Sequence, residues 1–354
     1  MSSLRIDVLD PATASDAELA AVHALEAAVE REALPDEPVP PLAHALVCYR
    51  TTRPSVVQRW WVARRGDKLV ARATCAYEDV PENRAHAWVD IAVHPAARRS
   101  GIGSALLVRV IDTATEWDCS LLDLEARVGG PGEPFLRALG AERRLLDRHS
   151  RCLTRRMDRA LLERWVRRAG ERAADYSLLS WDGPCPDELI EAFAGLRHVM
   201  NTAPTEDLER DDDRFTPERC REEEALLVAR HHDWWTLCAR HDDSGELAGY
   251  TQITFPKLWP EQAYQEDTGV WPKHRNRGLG RWLKAAMAQR LLDERPSVER
   301  IDTWNAGSNE AMLNINVAMG FEPVQNWGEW QVGTEAARAA SAARPGLRSW
   351  PGEA

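Results

Sequence analysis

The segment Arg98-Arg99-Ser100-Gly101-Ile102-Gly103 returns as Arg275-Asn276-Arg277-Gly278-Leu279-Gly280. Both copies have the spacing RxxGxG, and they lie 177 residues apart in a chain of 354. The likeness extends outward. Val93-His94-Pro95 matches Val270-Trp271-Pro272 upstream, and Ser104-Ala105-Leu106-Leu107 matches Arg281-Trp282-Leu283-Lys284 downstream. Farther along, short helical patterns end at Gly140 and Gly320, which are 180 residues apart. A period this long is the duplication of a whole domain, because solenoid repeats run to only tens of residues. A typical domain of about 150 residues gives the same count of two.

Apolar periods predict the same order of elements in each copy. The first copy reads as a strand at 4–9, a helix at 16–30 with Ser15 as N-cap, paired strands at 58–63 and 68–77, and a strand at 87–93 running into the glycine loop. A helix at 103–115 and a strand at 121–126 follow. The second copy repeats this with a strand at 176–181, helices at 187–200 and 217–229, and strands at 235–240, 247–254 and 300–304. The fold class is therefore α/β (α+β), a layered fold of strands and helices. The predicted domains are 1–155 and 176–333, joined by a charged helix at 156–175 and followed by a flexible tail at 334–354.

A strand that ends in a loop opening a helix leaves several N–H groups unpaired, and the helix dipole favours an anion there. Glycines at 101, 103, 278 and 280 let a phosphate approach the backbone, and Arg98 and Arg275 can add charge. A net charge of -11 argues against nucleic acid, whose phosphates demand a basic face, and accords with a cationic acceptor. No apolar run reaches the ~20 residues of a membrane span, and the N-terminus has no signal-peptide core, so a cytoplasmic protein is expected. Seven scattered cysteines without CxxC spacing give neither a zinc motif nor a disulfide framework. No metal is predicted.

The two loops, each placed between strand and helix, resemble the coenzyme-A loop of the GCN5-related N-acetyltransferases (GNAT), whose motif is [RQ]xxGx[GA]. The resemblance covers nearly the whole chain as two tandem GNAT domains, each with a mixed, splayed central sheet flanked by helices. It implies acetyl-CoA as cofactor, with its pyrophosphate on Arg98, Arg99, Ser100, Gly101, Ile102, Gly103 and Ser104 of one loop. The other loop would use Arg275, Asn276, Arg277, Gly278, Leu279, Gly280 and Arg281. It implies pantetheine pairing along Ile91, Ala92 and Val93 and along Thr268, Gly269 and Val270. It implies a cofactor contact from Asn309 at the start of the last helix, where the first copy has Gly129.

The acidic segment Gln265-Glu266-Asp267 resembles the family's base-bearing strand, so Glu266 is the leading general base and Asp267 the second. Val89 stands in the first copy, which places the chemistry in the second. The family's usual tyrosine acid falls on Leu136 and Asn316, a departure from the pattern. The implied activity is N-acetyl transfer to a primary amine of a small molecule. The alternative is a non-catalytic acyl-CoA-binding or sensing protein. The acidic run Glu206 to Asp213 reads as a solvated loop, with a lip for a cationic acceptor as the sharper reading. The acceptor's identity is open, and so is the choice between monomer and homodimer.

Overall fold

The computed structural model describes residues 3–343. The predicted tail from 344 onward lies outside the described residues. In chain order the elements are β1 (Leu4–Leu9), α1 (Asp16–Ala33), α2 (Leu42–Arg50), β2 (Val56–Arg65), β3 (Lys68–Glu78), β4 (His86–Val93), α3 (Ile102–Glu116), β5 (Leu121–Arg127), α4 (Gly132–Leu139) and β6 (Glu142–Leu153). There follow α5 (Arg159–Arg172), β7 (Tyr176–Asp182), α6 (Ile190–Arg197), α7 (Pro217–Ala229), β8 (His232–His241), β9 (Leu247–Pro256), β10 (Gln262–Val270), α8 (Leu279–Glu294), β11 (Arg300–Ala306), α9 (Glu310–Ala318), β12 (Glu322–Gly333) and α10 (Thr334–Ala342). No helix among the described residues is long and apolar enough to cross a membrane.

The described residues form two compact units, one of 3–146, 207–211 and 327–343, the other of 147–206 and 212–326. Neither is a continuous stretch of chain. In the first, the strand order is β1-β2-β3-β4-β5-β12. Its last strand comes from the far end of the chain, with Trp327–Gly333 antiparallel to Arg127–Leu121. The second unit is ordered β6-β11-β10-β9-β8-β7. Its first strand is taken from the N-terminal half, with Leu153 to Asp147 antiparallel to Arg300 to Ala306. These strands lay outside the elements predicted from local periodicity, because their partners are remote in sequence.

Each sheet packs one face against the helix that follows its glycine loop. In the first unit, Leu106, Leu107, Val110 and Ile111 of α3 lie on Ala71, Ala73, Val89 and Leu122. In the second, Leu279, Leu283, Met287 and Leu291 of α8 lie on Ala239, Ala248, Ala263 and Ile301. Ser15 caps α1 as expected, in a reciprocal box with Glu18. Two predictions are corrected. Residues 334–342 are not tail but helix α10, because Ala337 is fully buried in the first core and Thr334 donates to the Cys119 carbonyl. The charged segment 159–172 does more than connect, since Leu162 is 1 % exposed in the second core.

One buried residue works against the fold. Lys284 of α8 takes the place of Leu107 in α3, and both are 1 % exposed. Its ammonium lies over the Phe321 ring at 5.3 Å. Loss of hydration drives its pKa down to about 7, with Cys152 acting in the opposite direction. The unfolded chain therefore holds a proton that the folded chain releases as pH rises above 7. Stability climbs with pH from there toward the ordinary lysine value. Below pH 7 the buried charge imposes its full cost. Lys284→Met is expected to raise stability at pH 7 by roughly 3 kcal/mol and to flatten this slope. Urea unfolding at pH 7 and pH 9.5 tests it; a variant less stable than wild type would show that the ammonium is structurally required.

Candidate active site

The two glycine loops share one backbone design. Positive φ occurs at Arg99 (59°) and Gly101 (82°) in the first and at Asn276 (65°) and Gly278 (89°) in the second. Gly101 and Gly278 are the N-caps of α3 and α8 in the left-handed region, and neither helix start has a side-chain cap. The first-turn N–H groups are left for a ligand, and alternate left-handed residues gather them into a concavity suited to an anion. The next glycines answer a different demand. A Cβ at Gly103 would come no nearer than 3.6 Å to Val93, and one at Gly280 no nearer than 3.7 Å to Ile315. The fold alone tolerates a side chain at both, so close approach by a group outside the fold is what favours glycine.

Arg98 and Arg275 have a bracing role that spacing alone did not reveal. Arg98 Nε donates to the Val93 carbonyl at 3.1 Å, and Arg275 Nε to the Val270 carbonyl at 2.9 Å. Each guanidinium ties its loop back to the end of the preceding strand. Arg98 also pairs with Glu32, and Arg275 also donates to Thr202 Oγ1 at 2.6 Å. Arg277 pairs with Asp175. Arg281 lies over the Trp165 ring. Ser100 Oγ donates to the Ala97 carbonyl.

Both sheets open beside these loops. Parallel pairing of β4 with β5 runs from His86↔Leu121 to Val89↔Leu124 and stops, while β4 continues to Val93. In the second unit it runs only from Gln262↔Arg300 to Tyr264↔Asp302, while β10 continues to Val270. The edges around Ala92–Val93 and Thr268–Val270 therefore offer backbone donors and acceptors to an added strand. Together, loop and edge fit a diphosphate followed by an extended amide-bearing arm. Gly269 has a further reason for its identity: a Cβ there would collide with Val199 at 2.4 Å.

The splay in the second unit contains a feature the first lacks. Gln265 pairs Ile253 and Thr268 pairs Thr251, so Glu266 and Asp267 together face the single residue Gln252. This bulge bends β10 and re-aims its side chains. In the first unit β4 pairs β3 from Ala71↔Val93 to Ala76↔Trp88 without a shift.

Glu266 is accessible from solvent, but the protein around it thins its hydration and pushes its carboxyl up to about 7. The Thr254 hydroxyl donates to Glu266 Oε1 at 2.8 Å and pulls the other way, while the charge of Asp267 adds to the rise. Asp267 is otherwise engaged. It accepts the Tyr250 hydroxyl at 2.8 Å and lies 3.8 Å from Arg197, which also pairs with Glu223. Thr254, Tyr250 and Arg197 are partners that sequence reading missed: strand pairing with β9 brings the first two there, and the end of α6 brings Arg197.

The last helix holds two asparagines. Asn309 Oδ1 caps α9 by accepting from Met312 N. Asn316, 1 % exposed, donates to Asn305 Oδ1 at 2.8 Å. The position to which the resemblance assigns a tyrosine thus holds one member of a part-buried amide pair. On the sheet face that carries Glu266, Tyr264 lies 6.2 Å from Trp304, whose ring stacks on His149 at 4.5 Å and 6°. Trp304 remains 44 % exposed beside the buried Arg151–Asp302 pair. In the first unit Val89 is buried in the core, and Asp90 is paired to Arg72 at 2.6 Å.

Comparison with known proteins gives one consistent picture. The acetyltransferase (GNAT) family model matches residues 19–137 and again 196–321. No protein of curated function matches the chain in sequence. Among solved structures, a tandem GNAT protein from the clavulanic acid biosynthesis pathway is 27 % identical with a TM-score of 0.74, over 94 % of this chain and 99 % of that one. A GCN5-related N-acetyltransferase from Sphaerobacter thermophilus is 14 % identical with a TM-score of 0.64, over 94 % and 96 % of the two chains. With both halves matched and the paired loops, splayed sheets and strand order in place, the chain belongs to the GNAT acetyltransferase family as a tandem member.

Proposed function

We propose that the protein is an acetyl-CoA-dependent N-acetyltransferase acting on a primary amine of a small molecule, with its chemistry in the second unit. The observation that carries this reading is the bulge of β10, which sets the Glu266 carboxyl beside a splayed strand edge and an uncapped helix start, with its pKa raised by the surrounding protein. A general base works best when its pKa lies near the working pH.

In this mechanism the loop N–H groups from Arg275 to Arg281 take the pyrophosphate of acetyl-CoA, and the edge from Thr268 to Val270 pairs with the pantetheine arm. Asn309, with Oδ1 committed to its cap, offers its amide nitrogen to the cofactor. Glu266 takes a proton from the acceptor ammonium, directly or through water. The amine nitrogen then forms a bond to the acetyl carbon, the carbon–sulfur bond breaks, and the second nitrogen proton is lost to water. A backbone N–H of the open edge stabilises the charge that develops on the carbonyl oxygen. No tyrosine assists the leaving thiolate. Asn316 is not an acid, so the thiolate departs as the anion or is protonated by water.

Acetyl-CoA-dependent release of free thiol across a panel of primary amines tests the reading. Transfer to at least one amine is expected. Tight acetyl-CoA binding without transfer to any amine would favour a non-catalytic acyl-CoA binder, in line with the missing tyrosine. The brace supplies a narrower prediction. Arg275→Ala is expected to weaken acetyl-CoA about tenfold by releasing the loop from Val270 and Thr202, with little change in melting temperature. Unchanged affinity by calorimetry would show that the loop holds its shape without the guanidinium.

A further inference from the structure

Helix α5 belongs to neither of the two segments that match the family model, yet it leads to the second glycine loop. It runs antiparallel to α8, and three contacts trace its path. Arg159 at its start pairs with Asp293 and donates to the Leu292 carbonyl, near the end of α8. Midway along, the Trp165 ring carries the guanidinium of Arg281, from the first turn of α8. Just past its end, Asp175 pairs with Arg277 of the loop. The stretch from Trp165 to Asp175 therefore passes beside the loop and the opening of α8.

The helical period sorts the side chains of that stretch. Leu162 and Ala169 are buried. Arg168 and Arg172 fall within about 60° of Trp165 around the helix, at 3.6 residues per turn, so they share the edge that meets Arg281. The two glutamates of α5, Glu163 and Glu171, lie about 120° or more from Trp165 by the same count. Arg168 and Arg172 are exposed, and among the described residues neither makes a hydrogen bond or an ion pair. Arg281 is exposed as well, with its guanidinium 5.6 Å from the Trp165 ring. Three arginines without a carboxylate partner thus border the loop, in a chain whose net charge is -11. The helix dipole accounts for Arg172 but not for Arg168, because its pull on a cation fades beyond the last turn. The first unit is built differently. Ser100 and Ser104 stand where the second loop has Arg277 and Arg281, and α10 packs in the core with α3, its Arg338 committed to Asp112.

We propose that Arg168 and Arg172 of α5 bind the 3′-phosphate at the nucleotide end of coenzyme A. The inference rests on the reading that the coenzyme occupies the second loop. The 3′-phosphate is one ribose away from the diphosphate in the covalent structure of that molecule, and it carries charge of its own that the loop N–H groups do not meet. Guanidinium matches phosphate in charge and in its paired donors. Calorimetric titration of the full chain with coenzyme A and with 3′-dephospho-coenzyme A tests the assignment. Wild type should bind coenzyme A tighter by about tenfold or more, the worth of charge-assisted contacts to one phosphate. Arg168→Ala/Arg172→Ala should erase that margin while leaving the affinity for the dephospho compound as in wild type. Its melting temperature should not move, because both side chains are exposed. Equal affinity of wild type for the two ligands would overturn the assignment and leave the coenzyme reading standing. So would a double variant that keeps its full preference for coenzyme A, or one that loses both ligands equally. Binding of neither ligand to wild type would bring down the coenzyme reading and this one together.

Discussion

Glu266→Gln is expected to lower kcat/KM for amine acetylation by about 10² to 10⁴, the usual contribution of a positioned general base. Acetyl-CoA affinity should stay within about twofold, because Glu266 lies outside the loop and the strand end assigned to the cofactor. The substitution is close to isosteric. Glutamine can still accept the Thr254 hydroxyl that now reaches Oε1 at 2.8 Å, so the bulge should survive. What it cannot do is take a proton.

The pH profile separates this from a general loss of activity. The base acts as carboxylate, so wild-type kcat/KM should rise with pH through about 7 and then level. Protonation of the acceptor amine produces a rising limb of its own. That limb moves with the acceptor's basicity, whereas the Glu266 limb does not. Acceptors of graded basicity therefore distinguish the two. If Glu266→Gln keeps both the limb near 7 and the rate, proton removal belongs to water or another group. Asp267 is the weaker substitute, since its carboxylate already accepts from Tyr250 and faces Arg197.

The parts of this site that were legible in sequence are those where residue identity states a backbone demand. Gly101 and Gly278 sit at φ near 80–90°, a conformation other residues rarely adopt, so their recurrence marked the loop. Pairing across distance was not legible. Trp327–Gly333 completes the first sheet because β5 exposes an edge there, and nothing local in that stretch names Leu121–Arg127 as its partner. The bulge at Glu266–Asp267 was hidden for a related reason. It is defined by the count of residues on β9, and the sequence of β10 alone shows only two adjacent acids. The same limit concealed the brace formed by Arg98 and Arg275. An arginine before a glycine loop suggests a phosphate ligand, and only the fold shows its Nε turned back to a strand-end carbonyl.

Which of two similar loops carries acetyl-CoA is decided by a paired substitution at the second loop glycine. Gly280→Glu is expected to weaken acetyl-CoA by at least 100-fold, since a carboxylate in the first turn of α8 takes the anion's place at the helix start and repels the pyrophosphate. The fold should tolerate it. The added Cβ meets Ile315 at 3.7 Å and Val270 at 4.0 Å, ordinary contact distances, so an unchanged melting temperature is the control. Gly103→Glu is its counterpart in α3, with Val93 at 3.6 Å and Phe135 at 3.9 Å. If acetyl-CoA occupies only the second unit, Gly103→Glu should leave the calorimetric isotherm unchanged. A two-site isotherm that loses one site with each variant would give both units the cofactor. Because Glu266 has only Val89 and the paired Asp90 as counterparts, the first unit would then hold acetyl-CoA without a base. If only Gly103→Glu abolishes binding, the cofactor and the bulge-borne carboxylate lie in different units. Glu266 could not then act on the thioester, and the assignment of chemistry to the second unit fails.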